Sequence, residues 1–386
     1  MRFEFTTSPR ILFGSGVFKE ITPHVKSFGS NAFAIVDGRV PGIDASIQTM
    51  QKEGLGLVLF HASGEPTTRS VMEATKQARQ SQCHTVLGIG GGSVLDTAKA
   101  VAALLTNPGD VVEYLEVIGS AKPLSQPAAP WIAVPTTAGT GAEVTSNSVL
   151  ASPEHRVKVS LRSPFMLPRL VAVDPDLTHS LSPEVTASSG LDALTQLIEP
   201  FVCLQPNPMT DALCQEGIPR IRRSLFRAYE NGKDAAARED MSLAALFSGM
   251  ALANAKLGAV HGIAGPLGGM VAVPHGTACA RLLPCVMEVN ASALESRSPD
   301  SPARLRYWEI AVMLTDDPKA TIQDGIACIR KLVRDMKVPK LAEFGLVPAL
   351  FADLIGKAKK ATSMKGNPIE LTDEEMKKIL EMEADY

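Results

Sequence analysis

The order in which strand-like and helix-like segments follow one another is the feature that most constrains the fold. Four short apolar runs in the first half of the chain have the length of buried strands: 31–38, 55–62, 84–90 and 131–137. Helical stretches such as 68–80 and 93–105 lie between them. This alternation predicts βαβ units, and therefore a largely parallel sheet that is covered by helices.

The character of the sequence changes near residue 178. From about residue 182 the β-branched runs vanish, and segments such as 209–229 and 239–257 carry apolar residues at helical spacing. A chain of 386 residues also exceeds what one hydrophobic core usually supports. We therefore predict an α/β domain over 1–178 and an all-helical domain over 179–386, in which Thr372–Glu375 begins the last helix as a capping box.

Composition excludes several classes of function. The formal net charge is −3 and no block of like charges is present, so neither nucleic acid nor an anionic membrane is an expected partner. The N-terminal segment lacks the apolar core of a signal peptide, and no run approaches about 18 consecutive apolar residues. The six cysteines form no CxxC pair. These features predict a cytoplasmic protein with reduced thiols.

A run of glycines separates a predicted strand from a predicted helix within GIGGGSVLDTAKA, residues 88–100. This arrangement places free backbone N–H groups and the positive end of a helix dipole at one point, which favours a phosphate. The predicted contacts are Gly90, Gly91, Gly92 and Ser93. The strict G-x-G-x-x-G fingerprint fails because Ser93 stands at its third position, and no Walker lysine follows. Ser93 and Asp96 also match a capping box, which would only begin the helix.

A second loop repeats this pattern after the strand at 131–137. Residues 138–145 read AGTGAEVT, and the hydroxyls of Thr136, Thr137 and Thr140 lie where the strand ends. Hydroxyls beyond the carboxyl end of a strand suit a nucleotide in an open α/β sheet. An ordinary polar turn explains the same residues.

Asp37 closes the run NAFAIVD. A carboxylate at this position can accept hydrogen bonds from ribose hydroxyls and repel a 2′-phosphate, which favours NAD over NADP. An Asp-Gly turn accounts for the residue equally well.

The helical half offers a sparser set of candidates. Two of the seven histidines, His261 and His275, flank a stretch that glycine and proline interrupt. Asp192 and Gln196 are four residues apart and would share one helix face. Taken alone, each histidine is compatible with a core or surface role, and Asp192 with a first-turn acid after a Ser188 or Ser189 cap.

Together these segments resemble the iron-containing alcohol dehydrogenase family over nearly the whole chain. The resemblance rests on 13–17, 88–100, 133–145, Lys158, 173–175, 190–200, 256–268, 274–284 and 367–368. It implies an N-terminal Rossmann-like dinucleotide-binding domain and an all-α C-terminal domain in a dehydroquinate synthase-like arrangement, with the active site in the cleft between them. The implied reaction is NAD(P)-dependent interconversion of a small alcohol and its aldehyde or ketone.

The resemblance also implies roles for individual residues. The positions that match the family's cofactor contacts are Asp37, Gly91, Gly92, Ser93, Thr136, Thr137, Thr140 and Lys158. An Asp and three His hold a divalent metal, iron or sometimes zinc, in that family. The matching positions are Asp192, Gln196, His261 and His275, and Asp192, His261 and His275 would form the catalytic centre.

Two positions depart from the family pattern. Gln196 replaces a histidine ligand, and an amide oxygen is a poorer donor to iron or zinc than imidazole, so weaker metal binding is expected. Gly265 stands where the family has a further histidine, so water or a ribose hydroxyl would relay the proton. These departures keep two alternatives open: a metal-independent reductase of the maleylacetate reductase type, and a dinucleotide-binding protein without turnover.

The sequence says less about the substrate. Segments 249–257 and 273–280 suggest a small, mostly apolar cleft wall, and Asn147 matches a substrate contact by resemblance or is a plain strand-end residue. The family commonly forms dimers or larger assemblies, so a homodimer or higher homo-oligomer is expected.

Overall fold

The computed structural model describes residues 2–155 and 157–385. Contacts between Cα atoms divide the chain into two compact units. One extends over Thr7–Ser180, and the other runs from Leu181 onward and includes the N-terminal segment that ends at Thr6. Each unit is described by itself below.

The first unit contains a six-stranded parallel sheet. Its strands are β1 (Ile11–Phe13), β2 (Asn31–Val36), β3 (Gly56–His61), β4 (Thr85–Gly90), β5 (Trp131–Pro135) and β8 (Leu170–Val173). Their order is β1-β8-β5-β4-β2-β3, and every neighbouring pair is parallel. All four strands that the sequence predicts are present, and the predicted parallel sheet is confirmed.

Helices connect these strands. They are α1 (Ile21–Phe28), α2 (Ile43–Lys52), α3 (Thr68–Gln80), α4 (Gly92–Thr106) and the short α5 (Val111–Tyr114). Every residue of β4 and β5 is buried. The two strands are apolar along their whole length because a parallel sheet of this kind is covered on both faces.

An antiparallel pair of strands in the same unit is not predicted by the sequence. Strand β6 (Asn147–Ser152) pairs with β7 (Val157–Arg162) outside the main sheet. Buried residues alternate with more accessible ones along β6. The pair was missed because the prediction rests on continuous apolar runs, and a half-buried strand has none.

The second unit is helical, and no strand occurs among its described residues. Its helices are α6 (Pro183–Val202), α7 (Pro208–Glu230), α8 (Ala235–Asn254), α9 (Ala259–Met270), α10 (His275–Arg297), α11 (Pro302–Thr315), α12 (Ile322–Asp335), α13 (Phe351–Ala358) and α14 (Asp373–Asp385). The predicted capping box is confirmed, since Glu375 N donates to Thr372 Oγ1 at 3.1 Å and Thr372 N donates to the Glu375 carboxylate at 2.8 Å.

The helix predicted over 239–257 ends earlier than expected. Helix α8 ends at Asn254, and the extended backbone of Ala255 breaks it before α9 begins. No single helix in the described ranges has the length and apolar character to cross a membrane. Only α8 and α9 taken together reach that length, and they are bent by 95° at the break between them.

Candidate functional site

The glycine-rich loop joins strand β4 to helix α4. Gly91 is the N-cap residue of α4 and has extended backbone, with no side-chain cap. The N–H groups of Gly92 and Ser93 therefore belong to the first turn, where a helix supplies no internal acceptor. The capping-box alternative for Ser93 and Asp96 is wrong. The Asp96 carboxylate accepts from Val149 N at 3.1 Å and from Lys99 Nζ at 3.4 Å, and not from the start of the helix.

Protein packing explains the two glycines near the end of strand β4. A Cβ on Gly88 would lie 2.8 Å from Ala98 Cβ, and one on Gly90 would overlap Val94. Gly88 and Gly90 therefore let α4 lie close against its own strand. What the following loop offers an anion is its N–H groups and the helix dipole.

The threonine-rich loop lies against the glycine loop. Strand β5 is the neighbour of β4 in the sheet, and Thr136 N donates to Gly90 O at 3.0 Å. A Cβ on Gly92 would lie 3.0 Å from the Thr140 side chain. Gly141 has φ of 60°, a left-handed conformation that glycine adopts without strain, and it begins a 3₁₀ turn. Two polar loops thus meet at the carboxyl ends of adjacent parallel strands.

Asp37 follows β2 at the same edge of the sheet. Its backbone N donates to Ile89 O at 3.1 Å, which ties it to strand β4. Both carboxylate oxygens accept from the Arg39 guanidinium, at 2.9 and 2.7 Å. The hydrogen bond from Arg39 is the largest cause of the lowered pKa of Asp37, so the carboxyl is ionised at neutral pH. A backbone turn is also present, in which Val40 N donates to Asp37 O at 3.1 Å.

Two other predicted residues lie on the antiparallel pair. Lys158 is on β7, and its Nζ forms an ion pair with Glu65 Oε1 at 2.6 Å. Asn147 begins β6, and its carbonyl oxygen accepts from Lys99 Nζ at 2.6 Å.

The helical unit brings three of the four predicted ligands together with a cysteine. The cluster comprises Asp192 on α6, His261 on α9, and His275 and Cys279 on α10, with one ligand atom from each within 4.8 Å of the others. The Asp192 Oδ1 atom lies 3.5 Å from His261 Nε2 and 3.8 Å from His275 Nε2. Residues that are far apart in sequence thus converge from three helices on one point.

Asp192 supplies the most informative atom of the cluster. It lies in the middle of α6, whose N-cap is Ser182, so the interpretation as a first-turn acid is wrong. Its side chain is buried, and Oδ1 is without a hydrogen-bond partner among the described residues. Burial opposes its ionisation, but His261 and His275 lower the pKa of Asp192 below the usual value. A buried, ionised oxygen is costly unless a cation compensates it, either a metal ion or a protonated imidazole.

Gln196 shares a helix face with Asp192, as predicted. Its Nε2 donates to Asp192 Oδ2 at 3.0 Å, and its Oε1 accepts from Ser248 Oγ at 3.0 Å. The amide therefore orients the carboxylate, while its own oxygen is engaged with Ser248.

Glu199 holds His261 from the other side and was not singled out from the sequence. Its Oε2 lies 2.6 Å from His261 Nδ1, and its Oε1 accepts from Val260 N at 2.7 Å. Such a carboxylate fixes the ring tautomer and leaves Nε2 to face the cluster. Burial opposes protonation of His261, but Cys279 and Glu199 raise its pKa well above the usual value.

Cys279 is the second residue that sequence reasoning missed. It lies one helical turn after His275, and its Sγ is 3.6 Å from His275 Nε2. The charge of Cys279 is the largest cause that raises the pKa of His275, to about 9. The signal in the sequence is the H-x-x-x-C spacing on a helix. This spacing indicates a ligand pair only when a further ligand such as Asp192 is known to lie opposite.

Gly265 lies on α9 and leaves space where the family pattern has a histidine. A Cβ placed there would meet nothing within 4 Å. This face of α9 therefore offers no side chain for proton transfer at that position.

Comparison with known proteins places the whole chain in one family. It matches the family description "iron-containing alcohol dehydrogenase" over residues 8–175 and the C-terminal description of the same family over residues 186–384. It is 34% identical to alcohol dehydrogenase 4 of Saccharomyces cerevisiae, with 99% of this chain and 98% of the yeast enzyme covered.

Solved structures give the same result. The crystal structure of 1,3-propanediol oxidoreductase matches with a TM-score of 0.91 and 29% identity, over 99% of this chain and all (100%) of the other. The sulfoacetaldehyde reductase from Bifidobacterium kashiwanohense, solved in complex with NAD⁺, matches with a TM-score of 0.89 and 27% identity, over 100% and 99% of the two chains.

Proposed function

The chain belongs to the iron-containing alcohol dehydrogenase family and interconverts an alcohol and its carbonyl compound, and on this premise we propose that NAD(H) and a divalent cation are its cofactors. The observation that carries the proposal is the unpartnered Asp192 oxygen, buried between two imidazoles. We propose residues 1–178 as the dinucleotide-binding domain and 179–386 as the metal and substrate domain, in a homodimer or higher homo-oligomer.

The nucleotide would bind at the carboxyl edge of the parallel sheet. We assign its pyrophosphate to the N–H groups of the loop at 90–93 and to the hydroxyls of Thr136, Thr137 and Thr140. The hydrogen bond between Thr136 and Gly90 supports this assignment, because it holds the two loops together. Lys158 is assigned a further contact by its match to the family motif, and it would exchange its ion pair with Glu65 for one with the cofactor.

Asp37 is assigned the ribose hydroxyls, which makes NAD the preferred nucleotide. Its carboxylate already holds Arg39, a side chain that could otherwise pair with a 2′-phosphate. We expect Asp37→Gly to raise kcat/KM with NADPH by about tenfold, because it removes a repulsive charge and frees Arg39. The double variant Asp37→Gly/Arg39→Ala should lose most of that gain, and an unchanged NADH:NADPH ratio in the single variant would remove Asp37 from this role.

The donor set fits a divalent cation. Asp192, His261 and His275 present one carboxylate and two imidazoles, which are ligands that both zinc and iron accept. Gln196 was predicted as a further ligand from its position in the motif, and its place beside Asp192 would make it a weak one at best. A bound cation would supply a Lewis acid for the substrate oxygen, and a bound nicotinamide would accept or donate the hydride.

The chain's own residues prepare this reaction. Glu199 accepts from His261 Nδ1 and so turns Nε2 towards Asp192, where it would bind the cation after losing its proton. Gln196 holds one oxygen of Asp192 in place and leaves the other free. Because Gly265 carries no side chain, we assign the alcohol proton to water or to a ribose hydroxyl. We propose a small alcohol and its aldehyde or ketone as the substrate class.

Metal analysis combined with activity assays tests the proposal. Protein purified without added metal should contain divalent metal and reduce small aldehydes with NADH, lose activity on chelation, and regain it with Zn²⁺ or Fe²⁺. Full turnover after complete metal removal would instead support a metal-independent reductase. NADH binding without turnover on any aldehyde or keto acid would support a protein that only binds the nucleotide.

A further inference from the structure

Four donor atoms converge in the helical unit, and one of them is a thiol. We propose that Cys279 Sγ is the fourth protein ligand of the divalent cation, in place of the imidazole that the family pattern has at Gln196. The inference rests on the proposed function, because it concerns the cation assigned above to Asp192, His261 and His275. The ligand set becomes one carboxylate, two imidazoles and one thiolate.

The position of Cys279 supports this assignment. Its Sγ belongs to a group in which every ligand atom lies within 4.8 Å of the others, a spread that one central ion can span. Helix α10 carries both His275 and Cys279 four residues apart, so the two side chains lie on the same face. Cys279 is fully buried, and its sulfur lies 3.6 Å from His275 Nε2.

The alternative fourth ligand, Gln196, is directed elsewhere. Its amide nitrogen donates to Asp192 Oδ2, and its amide oxygen accepts from Ser248 Oγ. Rotating the amide by half a turn would bring its oxygen against the carboxylate oxygen, and two acceptors repel each other. The orientation that satisfies Asp192 is therefore the one that turns the amide oxygen away from the carboxylate.

The thiolate changes which metals the site prefers. Soft thiolate ligands favour zinc and similar ions, so we expect the site to bind Zn²⁺ in preference to Fe²⁺. A divalent ion bound by one carboxylate and one thiolate has a total charge of zero. The same ion bound by one carboxylate and three neutral imidazoles has a total charge of +1. We therefore expect a site that binds Zn²⁺ or Co²⁺ tightly and polarises the substrate oxygen less than the family's usual ligand set.

Cobalt substitution tests the thiolate directly. The full-length protein loaded with Co²⁺ should show an intense near-ultraviolet absorption from sulfur-to-cobalt charge transfer. The variant Cys279→Ser should lose this band and bind Zn²⁺ at least about tenfold more weakly, since the loss of outer-shell partners alone costs about 10–100-fold. The matched control is Cys285→Ser, on the same helix with its Sγ directed to Arg281 O, and it should keep the band.

A rescue variant and a spectroscopic measurement complete the test. The double variant Cys279→Ser/Gln196→His should recover Zn²⁺ affinity without the band. X-ray absorption of the Zn²⁺-loaded wild type should show one sulfur at about 2.3 Å, and this measurement does not depend on the folding of any variant. Metal binding without sulfur in the ligand shell overturns the assignment of Cys279 and leaves the proposed function intact. Failure of the wild type to bind any divalent metal overturns both.

Discussion

Each unit of the molecule buries a cluster of charged groups, and the two clusters differ in the group that faces the carboxylate, which is a lysine in one and a pair of histidines in the other. In the α/β unit, Lys99 is fully buried, and its Nζ lies 2.9 Å from Thr145 Oγ1 and 3.4 Å from Asp96 Oδ1. In the helical unit, Asp192 faces two imidazoles and a thiol, and its Oδ1 has no hydrogen-bond partner in the described chain.

The difference indicates two roles for buried charge. The lysine of the first cluster compensates carboxylates that lie in the same environment, so the cluster joins α4 to the strand pair β6–β7 and needs no ligand. The second cluster places a carboxylate, two imidazoles and a thiol around one point, with no lysine among its four members, and the imidazoles become metal donors once they release their protons. Buried charges are tolerated when they are paired or when they coordinate a metal; the first cluster is paired, and metal coordination is our proposal for the second.

The largest expected effect concerns the carboxylate of the helical cluster. Asp192→Asn keeps the shape of the side chain but removes its charge. We expect the protein to lose its metal and kcat to fall by about 10²–10³-fold or more, because several kcal/mol of electrostatic stabilisation disappear. The free energy of unfolding of the metal-free protein should change far less than the affinity for the metal, since the facing imidazoles can release their protons when the carboxylate charge is removed.

Elemental analysis, steady-state kinetics and urea unfolding check this outcome. Asp240→Asn is the matched control, because Asp240 pairs with Arg220 and Arg223 in the same unit, and its metal content should stay that of the wild type. Full metal content and full turnover in Asp192→Asn would show that the helical cluster is not the metal site.

The opposite result is expected when the cation of the α/β cluster is removed. Lys99→Met leaves the buried Glu143 and the partly buried Asp96 without their compensating charge, so the free energy of unfolding should fall by about 3–5 kcal/mol. Urea unfolding measures the change. The control Lys357→Met removes an exposed ion pair with Asp353 and should cost less than about 1 kcal/mol. A loss below about 1 kcal/mol in Lys99→Met would contradict the structural role of this lysine.

An intermediate effect is expected at Glu199, the positioning residue behind His261. Glu199→Gln replaces a charged acceptor of His261 Nδ1 with a neutral amide. Zn²⁺ affinity should fall about 10–100-fold, and ¹⁵N NMR should show a mixture of His261 tautomers. Glu288→Gln, which removes the partner of Arg330, is the control and should leave affinity unchanged. If Glu199→Gln binds Zn²⁺ within about threefold of the wild-type affinity, Glu199 does not position His261 for the metal.

The last prediction concerns how the free energy of unfolding depends on pH through the α/β cluster. Burial raises the pKa of Glu143 from 4.5 to about 7. The folded state therefore holds a proton between about pH 4.5 and 7 that the unfolded chain has released, so this group reduces stability as pH rises through that window. Glu143→Gln should remove this loss of stability and be more stable than the wild type at pH 8 by up to about 3 kcal/mol, with little difference at pH 4.5. Equal pH profiles of unfolding for the two proteins would contradict the buried, protonatable state.

The parts of the fold that the sequence predicts are those that local patterns determine. Strand β4 is apolar throughout because helices cover both faces of the sheet, and the capping box at Thr372 depends only on residues three apart. The β6–β7 pair escaped prediction because its residues alternate in burial. The end of α8 at Asn254 was also missed, since no glycine or proline marks it.

The candidate sites show the same limit. Motif matches identified Asp192, His261 and His275, and the structure brings them together. The contribution of Cys279 could not be predicted, because it depends on three helices converging on one point. The role of Lys99 depends on contacts with residues 46 and 48 positions away, and no local pattern indicates them.

The most direct test of the metal site is an anomalous diffraction map of crystals grown with Zn²⁺ and NADH. A peak at about 2.0–2.3 Å from Asp192 Oδ1, His261 Nε2 and His275 Nε2 is the expected result. A map without a peak at these atoms, from protein that turns over fully without metal, would contradict it.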